Sequence, residues 1–300
     1  MLRELRGQLE GLRTAPAARE IIFVHGADNG ADVREALAGL GGGWGGDLRF
    51  LSASSGDYYE QKNEGAALAG GDILIFLDSD VVPKPGWLQA ILDSFSDPDV
   101  AVAGGAVDVE ISGLYSKAMA LGWFFAQTEN AKLARSTTFL ANNVAFRRSA
   151  FRPFPRTGQY RGQCLALAAE LERAGRSIYL NPAARVSHPP PAGARAFLLR
   201  ALWDGHDAAA GLRLRGKHPL VRGTGAIGKL LVERLGRAWR GRSRVNLGAT
   251  GAAAAGGVIT AYHLSAALGL LATTIAPAAT RRRLRRSDRA LSEGARTLRD

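Results

Sequence analysis

GDILIFLDSDVVPKPGW, residues 71–87, sets an unbroken apolar run from Ile73 to Leu77 directly against Asp78-Ser79-Asp80, then two prolines and Trp87. A continuous apolar run of this length, with glycine before it and prolines after, predicts a strand covered on both faces and therefore central in a sheet. Two aspartates leaving such a strand stand where open α/β sheets bind ligands. Residues two apart in an extended chain point to the same side, so both carboxylates can face one cleft. They repel one another and are costly to desolvate unless a cation or hydrogen-bond donors lie between them. The residues alone leave two accounts open. One is a hard divalent cation that itself grips a diphosphate; the other is an N-cap cluster for the helix beginning near Trp87. Trp87 is expected to anchor that helix in the core rather than to stack on a ligand.

Working outward, short apolar runs alternate with helical patterns from residue 20 to residue 190. EIIFV (20–24) and DLRFLS (47–52) read as strands, ADVREALAGL (31–40) and YYEQKNEGAALAGG (58–71) as helices, and VAVAGGAVDV (100–109) as the next strand. That rhythm predicts an α/β fold with a mainly parallel sheet flanked by helices. The glycine loop at 41–46 follows a helix and precedes a strand, the reverse of a phosphate loop, and is read as a turn. HPPP (188–191) halts regular structure.

Around the aspartates, QKNEGAALAGGDILIFLDSDVVPKPGWL resembles the heart of family 2 glycosyltransferases of the GT-A fold. In that family a Lys/Arg-Asn pair, here Lys62-Asn63, opens a helix that ends in Gly-Asp before the strand carrying the aspartate motif. FLANNVAFRRSAF (139–151) is similar to the family's acceptor-side loop, and LERAGRSIYLNPAARVSH (171–188) to its closing block. The resemblance spans roughly residues 1–200. It implies that Lys62, Asn63, Asp78 and Asp80, with Asp28 from the preceding turn, bind a nucleotide-sugar donor, and that Asn142, Asn143, Arg147 and Arg148 lie on the acceptor side. It also implies that Mn²⁺ or Mg²⁺ is held by Asp80, with His188 at the position of a further ligand, and that transfer of a hexose inverts the anomeric centre.

The chain departs from that pattern in three places. It opens directly on what looks like the family's first helix, without the first strand, which reads as a pared-down domain or a misassigned start. The turn after EIIFV is His25-Gly26-Ala27-Asp28 where the family carries an Asp-Asp-Gly-Ser-like sequence. Third, the family's general base falls on Gln163-Cys164, and neither side chain suits that task near neutral pH. Asp108 and Glu110, on the strand after Gly104-Gly105, are the substitutes the sequence offers. An acceptor that is already an oxyanion, such as a lipid phosphate, would need no base. Two other readings stay open: a non-catalytic relative that binds a nucleotide or glycan, and a nucleotidyltransferase, for which the required glycine-rich N-terminal loop with a following Lys or Arg is not evident.

The 300-residue chain carries a formal charge of +12, and much of the excess brackets one segment. Residues 245–280 contain no Asp, Glu, Lys or Arg, between RLGRAWRGRSR and RRRLRRSDR. This is long enough for one membrane span of about 20 residues. Basic flanks suit anionic lipid, and AIGKLLVERLGRAW reads as an amphipathic helix. A span, a re-entrant or interfacial segment and a buried Ala/Gly-rich helix all fit. No interleaved aromatic platform suggests nucleic acid. MLRELRGQLEGLR has no apolar leader, so a membrane-associated protein with a cytoplasmic catalytic domain is expected. The expected organisation is a GT-A-like domain at 1–192, a basic helical region at 193–244, a membrane-embedded segment at 245–280 and a basic tail at 281–300.

Overall fold

The computed structural model describes residues 2–12, 20–26, 30–38, 46–124, 132–190 and 193–296. In chain order the elements are α1 (Leu2–Glu10), β1 (Glu20–His25), α2 (Gly30–Ala38), β2 (Asp47–Ser52), α3 (Tyr58–Leu68), β3 (Ile73–Leu77), β4 (Val82–Pro83), α4 (Trp87–Asp93), β5 (Val100–Val109), α5 (Leu114–Met119), β6 (Ala134–Arg135), β7 (Asn143–Arg147), α6 (Gln163–Arg173), β8 (Ser177–His188), α7 (Gly193–Leu214), α8 (Pro219–Gly241), α9 (Ala249–Ile275) and α10 (Pro277–Arg296). They form two compact units. The first comprises residues 1–108, 127–155 and 163–188; the second comprises 109–126, 156–162 and 189–300.

The first unit holds the sheets. β1 and β2 pair in parallel, with Phe23 opposite Phe50 and their rings stacked at 5.6 Å. The larger sheet has the order β3-β7-β5-β8-β4, with β6 also on β8. Here the expectation of a mainly parallel sheet is corrected. β7 lies between β3 and β5 and runs antiparallel to both, while β4 and β6 run antiparallel to β8. The NVAFR strand, later in sequence than both, inserts between β3 and β5. As a result β3 stands at the end of this path instead of its centre, and only Leu74 among its residues is fully buried.

Aromatic packing builds the core on one side of this sheet. Phe76, Phe139, Phe146, Phe151 and Phe154 meet edge to face or tilted, with Tyr59 of α3 against Phe154 at 5.0 Å. Leu167, Ala168 and Leu171 of α6 close over that cluster. On the opposite side the expected anchor is present: Trp87 is 1% exposed at the start of α4. α1 docks here as well, since Gln8 Nε2 donates to Lys84 O and Leu88 N donates to Gln8 Oε1.

Asn143 ties the layers together from complete burial. Its Oδ1 accepts from Trp87 Nε1 at 2.9 Å, and its Nδ2 donates to Ala106 O and Ala184 O, each at 3.0 Å. The amide can cross from β7 towards β8 because Gly105 lies in its path: a Cβ there would sit 2.3 Å from Asn143 Nδ2 and 2.2 Å from Ala184 O. Asn143, expected on the acceptor side, is therefore a strut of the sheet through the three bonds it makes.

Truncating Asn143 to Ala strands a buried indole N–H and two buried carbonyls. We expect Asn143→Ala to lower the unfolding free energy by about 3 kcal/mol in urea titrations. Gly105→Ala is expected to destabilise by a comparable amount through overpacking.

Candidate functional site

The turn after β3 is fixed from within. Val81 is fully buried, its N–H donates to Asp78 O at 3.4 Å, and Asp78 N donates to Asn142 O at 3.4 Å. Anchored between these points, the two aspartates take different environments.

Asp78 turns inward. Lys62 Nζ lies 2.5 Å from its Oδ1, and Tyr58 Oη donates to Oδ2 at 2.8 Å and to Oδ1 at 3.0 Å. The lysine and aspartate side chains are only 10% and 18% exposed. Both donors come from α3, whose start is capped by Asp57 accepting from Tyr59 N and Glu60 N. Tyr58 and Lys62 are four residues apart, so they share a helix face, and the ammonium sits 4.6 Å from the Tyr58 ring centroid. Burial, and then the neighbouring Asp78 charge, push the Tyr58 phenol well above its ordinary pKa. It is thus a hydrogen-bond donor throughout the physiological range. Tyr58 was missed in the sequence, although an aromatic four residues before the Lys of the Lys-Asn pair was its signal.

Asp80 turns outward. Its side chain is 58% exposed, and Oδ2 lies 3.3 Å from His188 Nε2 at the end of β8. The β4–β8 register explains the meeting: Val82 pairs with Ser187, which brings the residues flanking both strands together. A carboxylate oxygen and an imidazole nitrogen converging at one point suit Mn²⁺ or Mg²⁺, with His favouring the softer Mn²⁺. Among the described residues no group of three His, Cys, Asp or Glu gathers around one point.

Other expected site residues are engaged elsewhere. Asn63 exchanges two hydrogen bonds with the Phe154 backbone, at 2.7 and 3.1 Å, and so braces the loop after β7 instead of facing a donor. The Arg147 guanidinium donates to the carbonyls of Val100, Phe95 and Asp97. Arg148 donates to Gly71 O and Ala69 O. Arg147 pairs with Ile73 at the start of β3 and Asn143 with Leu77 at its end. Four strand steps place the two arginines roughly 14 Å from the aspartate turn. The two arginines expected on the acceptor side thus clamp turns at the opposite end of these strands. Asn142 does adjoin the site through its backbone, and its buried Oδ1 has no partner among the described residues.

Asp108 is bound by Arg185, whose Nε and Nη2 donate to Oδ2 at 3.0 and 2.6 Å. To act as a base it would have to give up that ion pair. Glu110 lies exposed, one residue past β5. Gln163 and Cys164 begin α6, both buried, and Cys164 adjoins Tyr58 closely enough to influence its ionisation. Asp28 lies outside the described residues.

A family model described as glycosyl transferase family 2 matches residues 4–154. Two curated proteins from Mycobacterium tuberculosis, strains CDC 1551 / Oshkosh and ATCC 25618 / H37Rv, are both described as pre-mycofactocin glycosyltransferase. Each is 30% identical over 167 residues, covering 53% of this chain and 35% of the relative. The chain thus spans about a third of the length of the curated relatives it matches. Among solved structures, it resembles the mannosyltransferase PcManGT from Pyrobaculum calidifontis in complex with GDP-Man and Mn²⁺. The TM-score is 0.54 and the identity 17%, over 89% of this chain and 83% of that one. The shared fold is GT-A, and the α6 and β8 block lies beyond the matched family span.

The two aspartates should separate in stability assays. Lys62→Met leaves a largely buried carboxylate with one neutral donor, and we expect a loss of about 2–3 kcal/mol in denaturant unfolding. Asp80→Ala, at an exposed position, should change stability by no more than about 0.5 kcal/mol. Equal costs would contradict the inward and outward division.

Proposed function

The chain belongs to glycosyl transferase family 2, and on that premise we propose that it transfers a hexose from a nucleotide-sugar donor to a membrane-associated lipid or glycan acceptor, with Mn²⁺ or Mg²⁺. The observation that carries the reading is the convergence of Asp80 Oδ2 and His188 Nε2 beside an Asp78 locked by Tyr58 and Lys62. Asp80 and His188 would hold the ion, which when bound supplies positive charge to a departing diphosphate. Asp78, immobilised by two donors, presents a fixed acceptor edge for the hydroxyls of the donor nucleoside. Lys62 brings a cation to the same corner.

The proton balance points to the acceptor. At the family's base position stand Gln163 and Cys164, and Asp108 is committed to Arg185. A hydroxyl nucleophile would have to lose its proton to a group on the enzyme. A phosphate oxyanion carries none: its oxygen bonds to the anomeric carbon, the bond from that carbon to the diphosphate oxygen breaks, and the nucleoside diphosphate leaves with the electron pair. We therefore favour a lipid phosphate over a neutral glycan. The same Gln163-Cys164 pair supports a second reading, a protein that binds the donor without turning it over.

The test is release of nucleoside diphosphate by the purified protein, given a panel of nucleotide sugars, Mn²⁺ and polyprenyl phosphate. Turnover is expected, falling at least about a hundredfold in Asp80→Ala and substantially in His188→Ala, with folding intact. Donor binding by calorimetry without diphosphate release would replace transfer with binding alone. Release of pyrophosphate instead would indicate nucleotidyl transfer.

A further inference from the structure

Within the second unit, α9 buries Ile259 and Leu270 on its inner side, is apolar on its outer side as well, and keeps its large polar side chains to the inner one. Its buried side carries polar side chains: Tyr262 donates to Asp204 Oδ2 at 2.5 Å, His263 Nε2 lies 3.2 Å from Arg234 Nη1, and Thr273 is 1% exposed. Its outward side, from Ala253 to Ile275, shows only Ala, Gly, Leu and Ile among fully exposed positions. Ala261, Leu264, Leu268, Leu271 and Ile275 fall within one arc about 100° wide at helical spacing. Leu264 and Leu268 are each 60% exposed and Ile275 is 74% exposed. A helix facing water carries charge on its outer side.

We infer that this arc of α9 lies in the surface of an anionic lipid layer, parallel to it, instead of crossing it. α9 is the one described helix long and apolar enough to span, at 27 residues or about 40 Å. Its other face, however, is locked to a charged helix. A Cβ at Gly205 of α7 would meet Ala266 O at 1.9 Å, and one at Gly269 would meet Leu202 O at 2.2 Å, so the two backbones touch. α7 brings Asp204 and Arg200 to Tyr262 of α9, and embedding α9 on all sides would drag these charges into hydrocarbon. Only the outward arc is free for lipid.

Charge selects the occupant. The arc ends at Ile275, and α10 follows at once with Arg282, Arg283, Arg285 and Arg286 exposed, because Leu284 points inward to Leu199 and Trp203. Arginines placed beside an apolar stripe complement phosphate headgroups. A second copy of the chain would bring a like positive cluster with it, since α10 follows α9 directly. The inference deepens the membrane side of the function proposed above and does not rest on the sugar chemistry.

The test is vesicle flotation of the full chain. Wild type is expected to float with phosphatidylglycerol-containing vesicles and weakly with pure phosphatidylcholine. Leu264→Asn with Leu268→Asn, both at exposed positions, should weaken flotation roughly tenfold or more while the thermal unfolding curve is unchanged. Arg282→Glu with Arg283→Glu should remove the preference for anionic lipid. Unchanged flotation of the leucine variant overturns the inference. So does a wild type that ignores vesicles and sediments as a dimer that the leucine variant dissociates, or a protein that resists alkaline carbonate extraction. Diphosphate release measured on the same variants separates this inference from the transferase reading: lost flotation with retained turnover concerns the membrane contact alone.

Discussion

Two carboxylates separated by one serine cannot share a desolvated corner, and the separation of Asp78 from Asp80 governs the candidate site. A buried carboxylate stays charged only if donors replace the water it loses. α3 supplies both, a phenol and an ammonium from the same helix face, and this fixes Asp78 in one orientation. With the inner charge met, the outer one faces solvent beside His188. The result is one carboxylate held by hydrogen bonds and one that faces outward, in a turn anchored by the buried Val81.

That turn depends in its course on a sheet held by side chains as much as by backbone. Asn143 joins β7 to its neighbours through three bonds, and Gly105 leaves the corridor for it. Because Trp87 Nε1 ends on the same amide, the helix after the aspartate turn and the strand beside it are set by one residue. Arg147 and Arg148 do comparable work at the far edge. They satisfy carbonyls at the end of α3 and after α4 that helix geometry leaves without partners. Polar residues that cost little in water are thus used where backbone groups would otherwise be stranded.

The sequence made the elements legible better than their arrangement. Ile73–Leu77 reads as a strand, residues 58–71 as a helix and Trp87 as a core anchor because each follows from local chemistry. The position of β7 between β3 and β5 does not, since NVAFR carries no mark of direction or neighbour. The same limit explains the site. Asn63, Asn143, Arg147 and Arg148 have the side chains of binding residues, but their partners are backbone carbonyls and amides from distant segments, which no local pattern announces. Asp80 and His188 are more than a hundred positions apart and meet because Val82 pairs with Ser187. Tyr58 was within reach, four residues before Lys62.

The apolar segment shows the converse problem, in which composition was plain and its meaning was not. A run without charge has the same appearance whether lipid surrounds it or protein does. What distinguishes the cases is where the polar side chains lie, and here Tyr262, His263 and Thr273 are all on the inner side, beside Ile259 and Leu270, while Leu264, Leu268, Leu271 and Ile275 line the outer. Burying the Tyr262 hydroxyl is tolerable because Asp204 accepts from it, and burial raises its pKa further, so that it remains a donor. Burial likewise lowers the His263 pKa, which keeps the imidazole neutral next to Arg234 and spares the bundle a second positive charge. With Tyr262 and His263 partnered on the inner side, α9 leaves no large polar side chain on the face it would turn to a medium that offers no hydrogen bonds.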